Sequence, residues 1–234
     1  MKEKPALTIK ETAHEFQFPE FAIRTLVKRG AFHVIQVGNR VYITREVFAH
    51  YLKEGGQSML LHVDNVKFKV KPTKAEIGAI KCRFAKSASI REMTVKQVAD
   101  CLIAGRTVQP GVTPYTDSTK AKGYKGTSDD DFTQQTLFMS DIDNESADAP
   151  QETPEHVAEL LAAFNLKPVF MYESYHSTAQ QKRFRFAVVC DEAITDRAER
   201  DAIQGALIAL SPQSDYGTAN ADRMYFLSLI HISE

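Results

Sequence analysis

The stretch "LFMSDIDN", Leu137–Asn144, decides the fold. Its Leu-Phe-Met run has the composition of a buried strand, yet it ends in two aspartates separated by one isoleucine. Side chains alternate along a strand, so Asp141 and Asp143 share one face while Ile142 joins the apolar face. Two carboxylates on that face lie roughly 6–7 Å apart by strand rise and repel one another. A divalent cation removes the repulsion, and hard Mg²⁺ or Mn²⁺ prefers such oxygen ligands. The spacing predicts a strand ending in two aspartates on one face, which either cap the following loop or, joined by further carboxylates, hold a metal.

Downstream, Thr153 caps a helix over 154–164, followed by a strand in "KPVFMYESYHS" (167–177) and a second in "KRFRFAVVC" (182–190). In the second strand Arg183 and Arg185 share one face and Phe184 and Phe186 the other. Two arginines on one side suit recognition of a triphosphate. "ITDRAERDAIQGALIAL" (194–210) is an amphipathic helix with Thr195 as cap, Asp196 in its first turn, and Ile203, Leu207 and Leu210 inward. A polar turn and a last strand follow in 211–230. The order strand–helix–strand–strand–helix–strand points to an α+β, helix-on-sheet layer. A third carboxylate for the cluster comes from Asp215 or Asp222.

Upstream, residues 111–131 lack periodicity and are rich in Gly, Thr, Ser, Lys and Asp, which predicts a long loop. "MTVKQVADCLIAGRT" (93–107) reads as a helix with Thr94 as cap, Val95, Val98, Ala99 and Leu102 on one face, and Gly105 as its stop. Residues 57–91 carry eight Lys+Arg against two acids and read as a basic connector, with "VKFKVKP" (66–72) alternating like a strand. Such lysines either track a phosphate backbone or guard a sheet edge.

Residues 7–55 form a separate module. Thr8 and Glu11 have capping-box spacing before a first helix. Pro19 suits the start of a second helix, which takes apolar contacts from Phe21, Leu26 and Val27 and stops at Gly30. Gly38-Asn39 between two β-branched runs signals a hairpin, and Thr44 caps a last helix that closes at Gly55-Gly56. Helix, turn, helix, hairpin, helix is the layout of a winged helix-turn-helix.

Through "PEFAIRTLVKRG" and "VGNRVYITREVFAHYL" the first 50 or so residues resemble excisionase-like, MerR-type DNA-binding domains of phages and mobile elements. The resemblance implies a second helix in the major groove and a wing on the backbone. Arg24, Lys28 and Arg29 then belong to the groove or phosphate contacts, and Asn39 and Arg40 to the wing.

Residues from about Phe84 to Phe226 resemble the catalytic domain of the archaeo-eukaryotic primase superfamily, in its phage and plasmid primase-polymerase form. "LFMSDIDN", "VFMYESYHSTAQQKRFRFAVV" and "SDYGTANADRMYF" carry this likeness. It implies an RRM-like core that makes primers from nucleoside triphosphates with two Mg²⁺ or Mn²⁺ ions, with Asp141 and Asp143 as the first motif. The second motif, normally "SHT"-like, stands here as "YHST", which assigns His176, with Ser174 nearby, to the nucleotide. The third motif has one acidic position, matched by Asp215 or Asp222.

The expected organisation is a winged helix-turn-helix at 1–56, a connector at 57–91, an incomplete catalytic domain at 92–226, and a non-native tail from Leu227 that resembles translated sequencing adapter. The implied partners are duplex DNA, a single-stranded template, nucleoside triphosphates and a replicative helicase. A non-enzymatic DNA-binding regulator and a metal-dependent nuclease are the alternatives.

Bulk properties agree with a soluble class. The chain has 43% hydrophobic and 25% charged residues. It shows neither an apolar run of ~18 residues nor a signal-peptide core. Cys82, Cys101 and Cys190 show no CxxC spacing, which suits a reducing cytoplasm. The net charge of -1 hides a split: residues 1–126 carry 22 Lys+Arg against 11 Asp+Glu, and residues 127–234 carry 7 against 19. A basic half beside an acidic half suggests a polyanion surface next to a cation-requiring site.

Overall fold

The computed structural model describes residues 4–28, 31–54, 58–146 and 149–226. Arg29, Gly30, Gly55, Gly56 and the tail from Leu227 lie outside the described residues. The chain divides into two compact units, Met1–Ser58 with Thr94–Lys96, and Met59–Met93 with Gln97–Glu234. Both mix helices with small antiparallel sheets. No helix among the described residues is long and apolar enough to cross a membrane.

The first unit runs β1 (Ala6–Thr8), α1 (Ile9–Glu15), α2 (Glu20–Lys28), β2 (Ile35–Val37), β3 (Arg40–Thr44) and α3 (Arg45–Glu54). The Thr8–Glu11 capping box forms in both directions, and Thr44 Oγ1 accepts from the Val47 N–H at 3.2 Å. Val37 pairs with Arg40 across Gly38-Asn39, and Gly38 takes φ +59°, the conformation a tight hairpin demands at its first central residue. β1 was not expected; it joins the hairpin with Leu7 opposite Ile43, giving the order β1-β3-β2.

Phe48 centres this unit's core, with Phe16, Phe18 and Phe32 meeting its ring edge-on at 5.1, 5.8 and 5.5 Å. The anchor of α2 is Ile23, which is fully buried, whereas Phe21 is 74% exposed. Two residues apart on a helix lie about 200° apart, so burying Ile23 turns Phe21 to solvent.

The stretch expected as a connector, 57–91, contains regular structure. It holds β4 (Ser58–Lys67) and α4 (Lys74–Phe84), the latter opened by a Thr73–Glu76 capping box. The strand uses "SMLLHV", upstream of the lysine alternation, because Met59, Leu61 and Val63 can be buried on one face. β5 (Ile90–Thr94), α5 (Val95–Ile103) and β6 (Arg106–Gln109) follow, in the sheet order β5-β4-β6. The expected loop at 111–131 contains α6 (Asp117–Ala121), capped by Thr116.

β7 (Gln135–Ile142), α7 (Pro154–Ala162), β8 (Phe170–Glu173), β9 (Phe184–Ile194) and α8 (Arg197–Ala209) complete the second unit. β9 is central in the antiparallel sheet β7-β9-β8. Phe138, Ile142, Phe184, Phe186 and Val188 pack in one cluster with Val157 and Leu161 of α7 and Leu207 of α8. Apolar alternation thus sends two helices to one sheet face and leaves the other for the site. The cap of α8 is Asp196, whose side chain accepts from the Glu199 N–H at 2.8 Å. Thr195 is one residue too early. The expected last strand appears, up to Phe226, as isolated bridges, Ile142 to Ser214 and Val108 to Tyr225.

Candidate active site

All eight residues of β7 are buried, and Asp141 is only 3% exposed. A carboxylate there needs a partner. The ladder supplies it: Asp141 pairs with Arg185 of β9, and Arg185 Nε donates to Asp141 Oδ1 at 2.5 Å. Arg185 in turn pairs with Tyr172 of β8. Its guanidinium lies 5.7 Å from the ring centres of both Tyr172 and Tyr225 and donates to the Phe226 carbonyl at 3.0 Å. Burial opposes this charge, but the negative charge and hydrogen bond of Asp141 outweigh it and hold the guanidinium proton more tightly than usual. Burial, reinforced by Asp141 and opposed by Arg185, pushes the Tyr172 phenol up to about 12.

The end of β7 carries a short annex. Asp215 N–H donates to the Asp141 carbonyl at 2.9 Å, and Asp143 N–H to the Gln213 carbonyl at 3.0 Å. Residues 213–215 therefore run beside 141–143 and bring Asp215 to the aspartate pair. The Asp143 carboxyl is raised above the ordinary range by burial first, then by the negative charges of Asp141 and Asp215, with Arg183 opposing. Asp215 is oriented by accepting from the Gly217 N–H at 2.7 Å. Arg223 reaches Asp215 at 2.7 Å and Asp141 at 3.4 Å.

One cavity of about 190 Å³ collects these groups. Asp141, Asp143 and Asp215 line it together with Arg183, Arg185 and Arg223. Ser174, Tyr175 and His176, from the turn after β8, form another side. That turn is fixed by Ser174 N–H donating to the Arg183 carbonyl at 2.7 Å and by Ser177 Oγ accepting from the Arg183 N–H at 3.2 Å. Lys71 closes the ring, with Nζ 3.3 Å from His176 Nε2. Arg183 pairs with Glu145 at 2.7 Å and lies 4.0 Å from Asp143, while its Nε is buried with no hydrogen-bond partner.

Asp141, Asp143, Asp215, Ser174, His176, Arg183 and Arg185 thus share one cavity, and Asp222 does not belong to it. The Asp222 carboxylate is held by Lys81 Nζ at 2.8 Å, and it lines the neighbouring cavities. Lys71 and Arg223 were missed. Lys71 stands 105 residues from His176 and nothing local marks it; Arg223 shares the "SDYGTANADRMYF" segment with Asp215.

The donor set of the acidic wall is all oxygen, which suits a hard divalent cation. The repulsion felt by Asp143 is what such an ion relieves. Arginines neutralise these carboxylates in this structure, and among the described residues no group of three or more His, Cys, Asp or Glu is arranged around a metal position.

In the first unit, Arg24 is tied to Glu20 at 2.6 Å. Lys28, Asn39 and Arg40 are exposed, on α2 and at the hairpin. Arg29 lies outside the described residues.

No protein-family model matches the chain, and a search of curated proteins found no match. A solved structure, the AEP domain of the primase-polymerase of cyanophage S-2L, is similar over 77% of this chain and 78% of its own, with 14% identity and a TM-score of 0.38.

Proposed function

We propose that the second unit is a nucleotidyltransferase of the primase-polymerase type, joining nucleoside triphosphates on a single-stranded template with Mg²⁺ or Mn²⁺. The observation that carries this reading is the meeting, in one cavity, of Asp141 of β7, Asp143 just past its end and Asp215 of the 213–215 annex with Arg183, Arg185, His176 and Lys71. Asp141, Asp143 and Asp215 would hold the cation. When bound, it supplies activation of a primer 3′-hydroxyl and charge stabilisation on the leaving pyrophosphate. Arg183 and the Lys71–His176 pair, which line the cavity, would bind the phosphate chain. Arg185 pairs with Asp141 and orients it, and Arg223 pairs with both Asp141 and Asp215.

The first unit would deliver the enzyme to duplex DNA, with α2 in the groove and the Gly38-Asn39 hairpin on the backbone. Its exposed Lys28, Asn39 and Arg40 favour this role.

Incubating the protein with labelled nucleotides, Mn²⁺ and a single-stranded template tests the reading. Products longer than the substrates, absent with Asp141→Ala, support it. Shortened template instead identifies a nuclease. Duplex binding without turnover leaves a DNA-binding regulator.

A further inference from the structure

The carboxylate cavity does not end at the aspartates. It shares Lys71, Arg185, Arg223 and Phe226 with a second cavity of about 370 Å³. That one shares Lys81, Asn220 and Asp222 with a third of about 350 Å³. The three cavities therefore adjoin one another within the second unit, as successive parts of one surface.

One wall is a single face of α4, where Ile77, Gly78, Lys81 and Cys82 recur at helical spacing. The opposite wall is the 217–226 segment, and the far end is the loop at 124–129. Gly126 fits tightly there, since a Cβ on it would lie 2.6 Å from the Lys81 carbonyl carbon. Gly78 is the opposite case. A glycine inside a helix costs roughly 0.5–1 kcal/mol relative to alanine, yet a Cβ at Gly78 would meet nothing within 4 Å. Gly78 is exposed, and the space over this helix face is open.

The chemistry along the groove suits a flexible polyanion with flat bases. Lys71, Arg223, Lys81 and Lys125 are spread along it. Beyond the aspartate cluster its two acids are paired, Asp222 with Lys81 at 2.8 Å and Asp129 with Arg197 at 2.6 Å. Phe226 stands at the inner junction and Tyr124, 51% exposed, at the far end. Thr127, in the same far wall, is 3% exposed and its Oγ1 lacks a hydrogen-bond partner. Cations that follow a backbone, with aromatic platforms between them, are how sequence-tolerant single-strand sites are built.

We infer that this groove, over the Gly78–Lys81 face of α4 toward Tyr124 and Lys125, carries a single strand of nucleic acid to the aspartate cluster. Its identity as the template rests on the nucleotidyl-transfer reading. A mononucleotide would fill one of the three cavities and leave the others without purpose.

Cys82 is an exposed thiol in the groove and reports its occupancy. The full chain is alkylated with and without saturating oligo-dT, and modification of the Cys82 peptide is followed by mass spectrometry. Protection of about fivefold or more is expected, together with about tenfold weaker oligo-dT binding in Tyr124→Ala and Lys125→Glu. Gly78→Leu should keep or raise Tm, as a better helix former in open space, while weakening oligo-dT binding to a similar extent. Cys82 alkylation unchanged under saturating oligo-dT, equal protection by a mononucleotide, or full affinity in Gly78→Leu would each overturn the groove. Asp141→Ala separates the two readings: it should abolish synthesis and keep Cys82 protected. Synthesis that survives Asp141→Ala sinks the enzyme reading alone.

Discussion

Arg185 stands directly opposite Asp141 across the β7–β9 ladder, and the pair is closed at 2.5 Å in a nearly solvent-free setting. Removing one member of a buried pair leaves an uncompensated charge, at a cost of about 3–5 kcal/mol, whereas replacing both by apolar groups is often neutral or better. Arg185→Met and Asp141→Leu should each lower stability by that order in urea denaturation. The double variant should recover most of the loss and remain inactive. Additive destabilisation in the double variant would show that the two side chains act independently.

Asp143 should behave in the opposite sense. Its carboxyl is raised by burial and by Asp141 and Asp215, so the folded state binds a proton more readily than the unfolded chain. Its contribution is favourable below the ordinary aspartate range of about 3.9 and is lost as pH rises through the raised folded value. At neutral pH without metal, Asp143→Asn should therefore raise Tm by about 2–4 °C and abolish synthesis. Adding Mn²⁺ should raise the wild-type Tm and leave the variant nearly unchanged. Scanning calorimetry with and without Mn²⁺ checks both parts.

How much of this was readable beforehand follows the range of the interactions. The alternation in "LFMSDIDN" and "KRFRFAVVC" foretold which residues share a face, since one strand's period determines it. It did not foretell that Arg185 would bind Asp141 itself, because the β7–β9 register joins residues 44 apart. The choice between Asp215 and Asp222 depends on backbone hydrogen bonds from 213–215 to 141–143, which have no local signature. β4 and α4 were hidden in the connector because lysines around "SMLLHV" and a mid-helix Gly78 mask the apolar pattern. The capping motif at Thr8 needs only four residues and was legible outright.

His62 links pH to the integrity of the β4 sheet. It is fully buried; its Nδ1 meets Ser89 Oγ at 2.8 Å, and its Nε2 accepts from the Thr113 N–H at 3.1 Å. Burial pushes its pKa down to about 4. The neutral ring fits these partners, and a proton on Nε2 would remove the Thr113 bond. A depressed histidine pKa means stability that is complete above about 6.5 and is lost as pH falls toward 4. The wild-type Tm should drop across that window, and His62→Gln, which takes up no proton there, should show a flatter profile from a lower starting point. Parallel profiles in thermal melts between pH 7 and pH 4 would exclude His62 as the source.

The first unit makes its own electrostatic forecast. Each lysine or arginine that neutralises a phosphate releases counterions, so its loss should lower the slope of log K against log[salt] by about 0.9 on duplex DNA. Lys28 and Arg40 are exposed, whereas Arg24 is engaged by Glu20 at 2.6 Å. Lys28→Ala and Arg40→Ala should therefore weaken duplex binding and flatten the salt dependence. Arg24→Ala should do less, because the ion pair with Glu20 must open before Arg24 meets a phosphate, and Glu20→Ala should tighten binding by freeing it. Fluorescence anisotropy with a labelled duplex at several salt concentrations measures all four. If the slopes of Lys28→Ala and Arg40→Ala match the wild type, α2 and the hairpin do not touch the DNA backbone, and the strand groove becomes the main nucleic-acid surface of the chain.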